Sequence, residues 1–274
     1  MNAIWLYPPD DTTFYRPVFS PDGSSVVFEY TPVGSKDSTL YTCATSEFGA
    51  HGDGGAATPF LKKPPSGVQS RPDWSLANGN VAFQINSAAY TSDSSGGSIA
   101  PVKNGGGLAY PVWYPQAAAL MAIVDGVHAL TKIDFGGNRT PITPSGWYAG
   151  MGTVNQATPS QIAFAGQIDK GQPYNENDNQ IWLYDGSGDP TQLDDEQGRA
   201  PWYSPAGTQL VFESNRGGKY QIWLTTSGGN PVAITDPAWG AQHAKFSPDG
   251  KTIVFAGIPP GLKRMGLGIL TVPS

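Results

Sequence analysis

The chain has 274 residues, a net charge of −6 and only 14% charged residues, so it lacks the basic surface that nucleic acid or an anionic membrane requires. Eight Trp and a hydrophobic content of 39% argue against disorder, while 35 Gly and 25 Pro favour a turn-rich, all-β chain. No apolar run approaches the roughly 18 residues of a membrane helix. The lone Cys43 excludes an internal disulfide and a Cys-based zinc site, and its alternating surroundings are typical of a buried strand.

Six similar units follow one another along the chain. The phrase Phe-Ser-Pro-Asp-Gly begins at Phe19 in the first unit and again at Phe246 in the last. The units start at positions 16, 71, 110, 151, 200 and 243, which gives steps of 55, 39, 41, 49 and 43 residues. Steps near 40 residues with variable insertions suit a propeller blade of four short strands.

Each unit contains a second apolar run after its turn: Val26–Tyr30, Val81–Ile85, Leu120–Val124, Gln161–Ala165, Leu210–Glu213 and Thr252–Ala256. A third strand is clearest at Gln180–Tyr184 and Gln221–Thr225. Fourth strands follow Gly-rich turns at Arg139–Thr143 and Pro231–Thr235, and their prolines predict that they lie at the outer edge. The last unit ends at its third strand, so the N-terminal run Ile4–Tyr7 is predicted to supply the fourth.

These elements predict one domain over residues 1–274, an all-β, six-bladed β-propeller of four-stranded antiparallel blades. The N-terminal strand closes the ring by completing the last blade, which removes open sheet edges. The Ser-Pro-Asp-Gly phrase is interpreted as turn chemistry, because Pro presets φ, Asp caps the turn and Gly takes the left-handed position.

The repeated phrase, the Gln-Ile-Trp-Leu strands and the Gly-Gly-Asn-Pro turn resemble the TolB-type repeats known as WD40-like or PD40. The turns of units three and four have lost their Asp-Gly pair and depart from this pattern. The resemblance implies a six-bladed propeller that binds a protein at one face or at the central channel. It does not extend to the additional N-terminal α/β domain of TolB.

The long insertions mostly fall on the face that carries the second-to-third loops and the blade crossings, notably 167–179 and 144–150. Long loops on a rigid scaffold are where binding residues concentrate. The residues predicted to face the channel mouth there are Arg16, Arg71, Tyr110, Met151, Arg199 and His243. Three arginines would suit a carboxylate or phosphate, unless Asp10, Asp11, Asp194, Asp195 and Glu196 of adjacent crossings neutralise them.

Aromatic and acidic residues are further candidate binding residues, and each set also has a purely structural interpretation. Trp147 and Trp239 occupy the same place in two crossings, where with Tyr148 they would stack on a sugar or hold a partner's side chain, or else pack on a blade. Asp169, Glu176 and Asp178 form an acidic loop, either solvated or a Ca²⁺ site. No other cofactor is expected, and of the three histidines only His243 is predicted at the mouth.

The leading hypothesis is a non-catalytic propeller that binds a protein or peptide through its loop-rich face and channel mouth, as one subunit of a larger assembly or alone. The alternatives are a carbohydrate-binding propeller and a polysaccharide lyase or hydrolase at the channel mouth. No leader peptide precedes Ile4, which indicates the cytoplasm if Met1 is the native start. The low charge and polar loops favour a periplasmic or extracellular site if a leader has been removed.

Overall fold

The computed structural model describes residues 2–49, 56–226 and 229–273. Within these residues, 24 strands form six four-stranded antiparallel sheets arranged as the blades of a propeller. The predicted all-β, six-bladed fold is therefore confirmed. The described part of the chain contains no helix long and apolar enough to cross a membrane.

The first three blades are continuous in sequence. Blade one consists of β2 (Thr12–Phe19), β3 (Ser25–Pro32), β4 (Thr39–Ala44) and β5 (Thr58–Pro59). Blade two consists of β6 (Gln69–Trp74), β7 (Val81–Ile85), β8 (Ala88–Ser92) and β9 (Ala100–Gly106). Blade three consists of β10 (Leu108–Trp113), β11 (Ala119–Val124), β12 (Ala129–Asp134) and β13 (Arg139–Pro141).

The last three blades follow the same plan, with one strand borrowed. Blade four consists of β14 (Trp147–Val154), β15 (Ile162–Ile168), β16 (Gln180–Tyr184) and β17 (Thr191–Gln192). Blade five consists of β18 (Arg199–Tyr203), β19 (Gln209–Ser214), β20 (Gln221–Thr226) and β21 (Val232–Ala233). Blade six consists of β22 (Gln242–Phe246), β23 (Thr252–Gly257), β24 (Gly266–Thr271) and β1 (Ile4–Leu6). Short 3-10 helices cover Thr45–Glu47, Glu176–Asp178 and Pro237–Trp239.

The N-terminal strand closes the ring as the spacing predicts. β1 pairs antiparallel with β24, with Trp5 opposite Gly268 and Leu6 opposite Leu267. The side chains of Trp5 and Leu6 are buried. Trp5 contacts the ring of Phe255 on β23 edge-on, with 5.4 Å between centroids. Apolar burial and strand pairing therefore join the two ends of the chain in one blade.

The Ser-Pro-Asp-Gly turns have the predicted structural role. The hydroxyl of Ser20 donates to Asp22 Oδ1 at 2.6 Å, and the amide of Ser24 donates to the same oxygen at 3.0 Å. Gly23 takes the left-handed conformation with φ of 72°. These hydrogen bonds lower the pKa of Asp22 to about 2, with the Ser20 hydroxyl as the largest cause. The last blade repeats the arrangement at Ser247 and Asp249.

The innermost strand of every blade contains a bulge, which turns side chains towards the channel. Its register shifts by one residue against the second strand in all six blades. In five blades one bulge residue is left-handed without being glycine: Arg16, Arg71, Tyr110, Ala200 and His243. Such φ values are uncommon for residues with a Cβ, so the surroundings must hold them.

Buried side chains on the second strands hold three of these bulges. Glu29 Oε1 accepts a hydrogen bond from the amide of Arg71 in the next blade at 2.6 Å. Glu213 Oε2 accepts from the amide of His243 in the next blade at 2.7 Å, and Gln84 Oε1 accepts from the amide of Tyr110 at 3.4 Å. The three acceptors are buried, at 3%, 1% and 8% exposure. Each therefore joins two blades at a point where the backbone is strained.

We predict that Glu213→Ala lowers the free energy of unfolding by about 3–5 kcal/mol, because it leaves Arg199 and the His243 amide without their buried acceptor. Glu213→Gln will cost less, because its amide oxygen still accepts from His243 as Gln84 does from Tyr110. Urea unfolding followed by circular dichroism measures both changes.

The exposed Glu196→Ala is the matched control and will change the free energy of unfolding by less than about 0.5 kcal/mol. Equal effects of the Glu213 and Glu196 substitutions to Ala would show that the inter-blade hydrogen bond does not stabilise the ring.

Candidate functional site

The central channel opens on the loop-rich face in two steps. The outer step, here called the mouth, has a volume of about 250 Å³ and is lined by Tyr15, Arg16, Tyr110, Met151, Glu176, Arg199, Gln242 and His243. The inner step, here called the throat, has a volume of about 60 Å³; its walls include Arg16, Arg71, Pro72, Tyr110, Pro111, Met151, Pro201, Trp202, His243 and Ala244. All six residues predicted at the mouth therefore line one or both of these spaces.

An ion pair between the half-buried Lys245 and the buried Asp73 closes the throat from below. Lys245 of blade six reaches past blade one to blade two, where its Nζ donates to the carbonyl of Pro72 at 3.0 Å and contacts Asp73 Oδ1 at 3.3 Å. The ammonium also lies 3.9 Å from the centroid of the Trp202 ring. Asp73 Oδ2 accepts from the amide of Trp113 in blade three at 2.8 Å. Four blades thus meet at this floor, below which a second opening of about 40 Å³ faces the Ser-Pro-Asp-Gly turns.

Two of the three arginines that line the mouth or the throat are neutralised by the bulge acceptors. Arg16 Nη1 donates to Glu29 Oε2 at 2.7 Å. Arg199 donates to Glu213 Oε1 through Nε at 3.0 Å and Nη2 at 2.7 Å. The expectation that acids of the crossings pair with these arginines was wrong: Asp194 pairs with Arg216, and Asp10 with Arg264. Residues of the second strands are nearer, because the bulge directs the arginines along their own blade.

Arg71 differs from the other two arginines. Its Nη1 donates to the neutral Gln84 Oε1 at 3.1 Å, and its guanidinium carbon lies 3.4 Å from the centroid of the Tyr110 ring. Arg16 lies 5.9 Å from the same ring. The structure thus brings Arg16, Arg71 and Tyr110 together, as the repeat alignment predicts.

His243 is largely enclosed beside these cations. Its Nδ1 lies 3.6 Å from Glu213 Oε2, and its side chain is 10% exposed. Burial lowers the pKa of His243 well below its ordinary value, and the charges of Arg16, Arg199, Arg71 and Lys245 lower it further. The imidazole is therefore neutral at neutral pH.

The two tryptophans lie apart from the throat and pack on their own blades. Trp147 contacts Trp182 edge-on at 4.5 Å between centroids, and Trp239 stacks on Phe255 at 6.0 Å. Trp147 and Tyr148 were predicted in a crossing, but they lie in β14, where Trp147 pairs with Ile168. The bulge of blade four begins at Gly150, and the strand continues on its N-terminal side, so the crossing is shorter than the repeat spacing suggests. Trp239 does lie in a crossing, in the 3-10 helix Pro237–Trp239.

The acidic loop of blade four is held by separate local contacts. Asp169 accepts from the amide of Gly171 at 2.7 Å, and Asp178 accepts from Asn175 at 3.0 Å. Glu176 projects to the mouth, 3.6 Å from Arg199 Nη1. Among the described residues, no group of three or more His, Cys, Asp or Glu side chains is arranged to hold a metal ion. Calcium binding by Asp169, Glu176 and Asp178 stays a prediction that only a titration tests.

The sequence carries signals for the residues that we did not single out. Glu29, Gln84 and Glu213 directly follow a buried Phe in otherwise apolar second strands, where a polar residue needs a partner. Asp73 and Lys245 occupy the repeat position of Val18 and Val112, and their opposite charges at an inward position indicate an ion pair. Cys43, by contrast, is the buried strand cysteine that was predicted, and burial raises the pKa of its thiol to about 12.

Comparison with known proteins gives a clear likeness in fold and little in sequence. No family model matches the chain. An uncharacterized protein of Agrobacterium fabrum is 42% identical over 72 residues, which is 25% of each chain. The match therefore spans only a quarter of that relative's length.

Several solved structures share the architecture. A TolB-like protein of Agrobacterium tumefaciens superimposes with a TM-score of 0.68 and 18% identity, covering 96% of this chain and 91% of the other. TolB of Acinetobacter baumannii superimposes with a TM-score of 0.60 and 19% identity. The alignment covers 80% of this chain but only about half, 53%, of TolB. An oligogalacturonate lyase in complex with manganese superimposes with a TM-score of 0.58 and 12% identity, covering 100% of this chain and 96% of the lyase. The chain therefore has the six-bladed propeller fold seen in TolB-like structures.

Proposed function

We propose that the chain is a non-catalytic propeller that binds a protein or peptide partner through its loop-rich face and channel mouth. The observation that carries this proposal is the composition of the mouth, where Tyr15, Tyr110 and Met151 stand beside Arg16 and Arg199. Aromatic residues, Met and Arg are the side chains enriched at the buried centres of protein interfaces. The fold seen in the TolB structures is consistent with such a scaffold.

The long loop of blade four supports the proposal because it is already ordered beside the mouth. Tyr174 stacks on His128 with 3.9 Å between ring centroids, and its hydroxyl accepts from Asn179 at 2.7 Å. Gln167 Nε2 donates to the carbonyl of Asn175 at 2.7 Å. A loop held in this way presents Glu176 to a partner with little further loss of conformational entropy.

A lyase acting on an acidic polysaccharide is the second candidate, favoured by the arginines of the mouth and by the fold of oligogalacturonate lyase. Proton abstraction needs a base whose pKa lies near the operating pH. The lowered pKa of His243 makes its imidazole a poor proton acceptor. A carbohydrate-binding propeller ranks lower, because the rings of Trp147 and Trp239 are engaged by Trp182 and by Phe255 and Trp5.

Affinity capture from the native source tests the proposal. The bait is the whole chain, and a second bait has residues 170–177 of the blade-four loop replaced by Gly and Ser. We expect a stoichiometric protein partner on the first bait and its loss on the second, with the bound protein identified by mass spectrometry.

A third bait has the turn 185–189 of the same blade replaced in the same way, and it will retain the partner because this turn lies on the opposite face. Capture of no protein, together with cleavage of oligogalacturonate by the purified chain, would instead support the lyase, and binding without cleavage would support the carbohydrate-binding propeller.

The enclosed imidazole of His243 allows a separate prediction of how the stability of the folded chain depends on pH. Its folded pKa lies below its unfolded value of about 6.5, so below that pH the unfolded chain binds a proton that the folded chain does not. Stability will therefore fall as the pH decreases from about 7 to about 5, with a slope of up to about 1.4 kcal/mol per pH unit from this group.

Urea unfolding at a series of pH values measures that slope in the wild type and in His243→Gln, which will lose it. Lowered carboxyl pKa values such as that of Asp22, about 2, act at lower pH, and the raised pKa of the buried Asp73 acts in both proteins, so the difference between the two slopes isolates His243. A slope unchanged by His243→Gln would mean that the imidazole is protonated in the folded state.

A further inference from the structure

The throat contains a cation without a matching anion. Within the described residues, Arg71 forms no ion pair, and its only side-chain hydrogen bond goes to the neutral Gln84. Its Nε is buried and has no hydrogen-bond partner, and the same is true of Arg16 Nε. Buried donors are rarely left unpaired, because each loses its hydration without compensation.

The repeat explains which anion is missing. Blades one and five place Glu29 and Glu213 beside the bulge, and each carboxylate pairs with an arginine of its own blade. Blade two places Gln84 at the equivalent position, opposite Ser70. Gln84 Nε2 donates to the carbonyl of Asn86, which directs Oε1 to Arg71 and to the Tyr110 amide. Blade two therefore keeps the hydrogen bond that joins the blades but lacks the charge.

Arg71 is placed to recognise a ligand that enters the throat through the mouth. Its guanidinium carbon lies 3.4 Å from the centroid of the Tyr110 ring, and this contact holds the group in place. Nη1 is engaged by Gln84, while Nε and Nη2 have no hydrogen-bond partner among the described residues. Burial lowers the pKa of Arg71 and the nearby charge of Arg16 lowers it further, while Tyr110, Glu29 and Asp125 act in the opposite direction without restoring the ordinary value. The guanidinium nevertheless stays charged at neutral pH.

We propose that the throat binds a carboxylate borne by an extended segment of the protein partner, with the Arg71 guanidinium as its cation and with Arg16 lining the same space. This inference rests on the proposed function and specifies the chemistry of the ligand. A planar carboxylate accepts two hydrogen bonds from a guanidinium edge, which a hydroxyl or an amide does not reproduce. The carboxylate belongs to an acidic side chain or to a chain terminus.

The dimensions of the throat favour a peptide over a sugar. Its volume of about 60 Å³ holds a few water molecules or one carboxylate on a short aliphatic stem. The prolines Pro72, Pro111 and Pro201 form its rigid apolar wall, and Lys245 with Asp73 closes it below. A pyranose ring with its hydroxyls is bulkier than this space and would stay in the mouth, away from Arg71.

Binding of three short alanine-rich peptides to the whole chain tests the proposal by isothermal titration calorimetry. One peptide carries an internal Glu and a C-terminal amide, one has Gln in its place, and one has Gln and a free C-terminus. We expect the Gln amide to bind weakest, by about tenfold or more relative to the better of the two carboxylate peptides. Whichever carboxylate peptide binds better identifies the source.

Arg71→Met will remove the preference for a carboxylate, whereas Lys103→Met will keep it. Lys103 is the matched control, because it is an exposed cation of the same blade on β9. Arg71→Lys keeps the positive charge and provides a second test if Arg71→Met does not fold. It will retain a reduced preference for a carboxylate, because an ammonium lacks the planar fork of a guanidinium.

Equal binding of all three peptides by the wild type, or an undiminished preference in folded Arg71→Met, would overturn the proposal. Oligogalacturonate that binds in an Arg71-dependent way when the acidic peptides do not would overturn it in favour of a sugar. A partner captured through residues 170–177 without any carboxylate preference would leave the protein-binding function intact and remove only the carboxylate.

Discussion

The structure depends on a hydrogen bond between a buried acceptor on one blade and a strained backbone amide on the next. The bulge in each innermost strand turns residues such as Arg71 and His243 into the channel, at the cost of a left-handed backbone. Glu29 and Glu213 hold these bulges and at the same time neutralise Arg16 and Arg199. Blade packing and the electrostatics of the mouth are therefore set by the same side chains.

The floor of the throat separates the two faces of the propeller. Asp73 is buried, Lys245 is only 14% exposed, and Trp202 covers the ammonium, so the channel is blocked between its two openings. A ligand that reaches Arg71 must enter from the loop-rich face. The opposite face has a different chemistry, because its Ser-Pro-Asp-Gly turns satisfy their own carboxylates locally. The two faces are thus suited to different tasks although one repeat builds both.

Turn chemistry and the repeat spacing were enough to predict the turns and the strand that closes the ring, whereas contacts between particular side chains of different units were not predictable. The turn at Ser20 and Asp22 and the borrowed strand Ile4–Leu6 follow from turn chemistry and spacing. The contact between Lys245 and Asp73 joins residues 172 positions apart, and nothing in either unit alone identifies its partner. The prediction that Trp147 lies in a blade crossing was wrong, because pairing with β15 extends the innermost strand of blade four beyond its bulge.

We propose that a protein partner engages the mouth from the loop-rich face. Hydrogen–deuterium exchange of the whole chain, with and without the captured partner, tests it most directly. We expect slower exchange in segments 147–151, 169–179 and 236–243, with the turns at 20–24 and 247–251 unchanged. Protection confined to those turns, with the mouth segments exchanging as before, would contradict it.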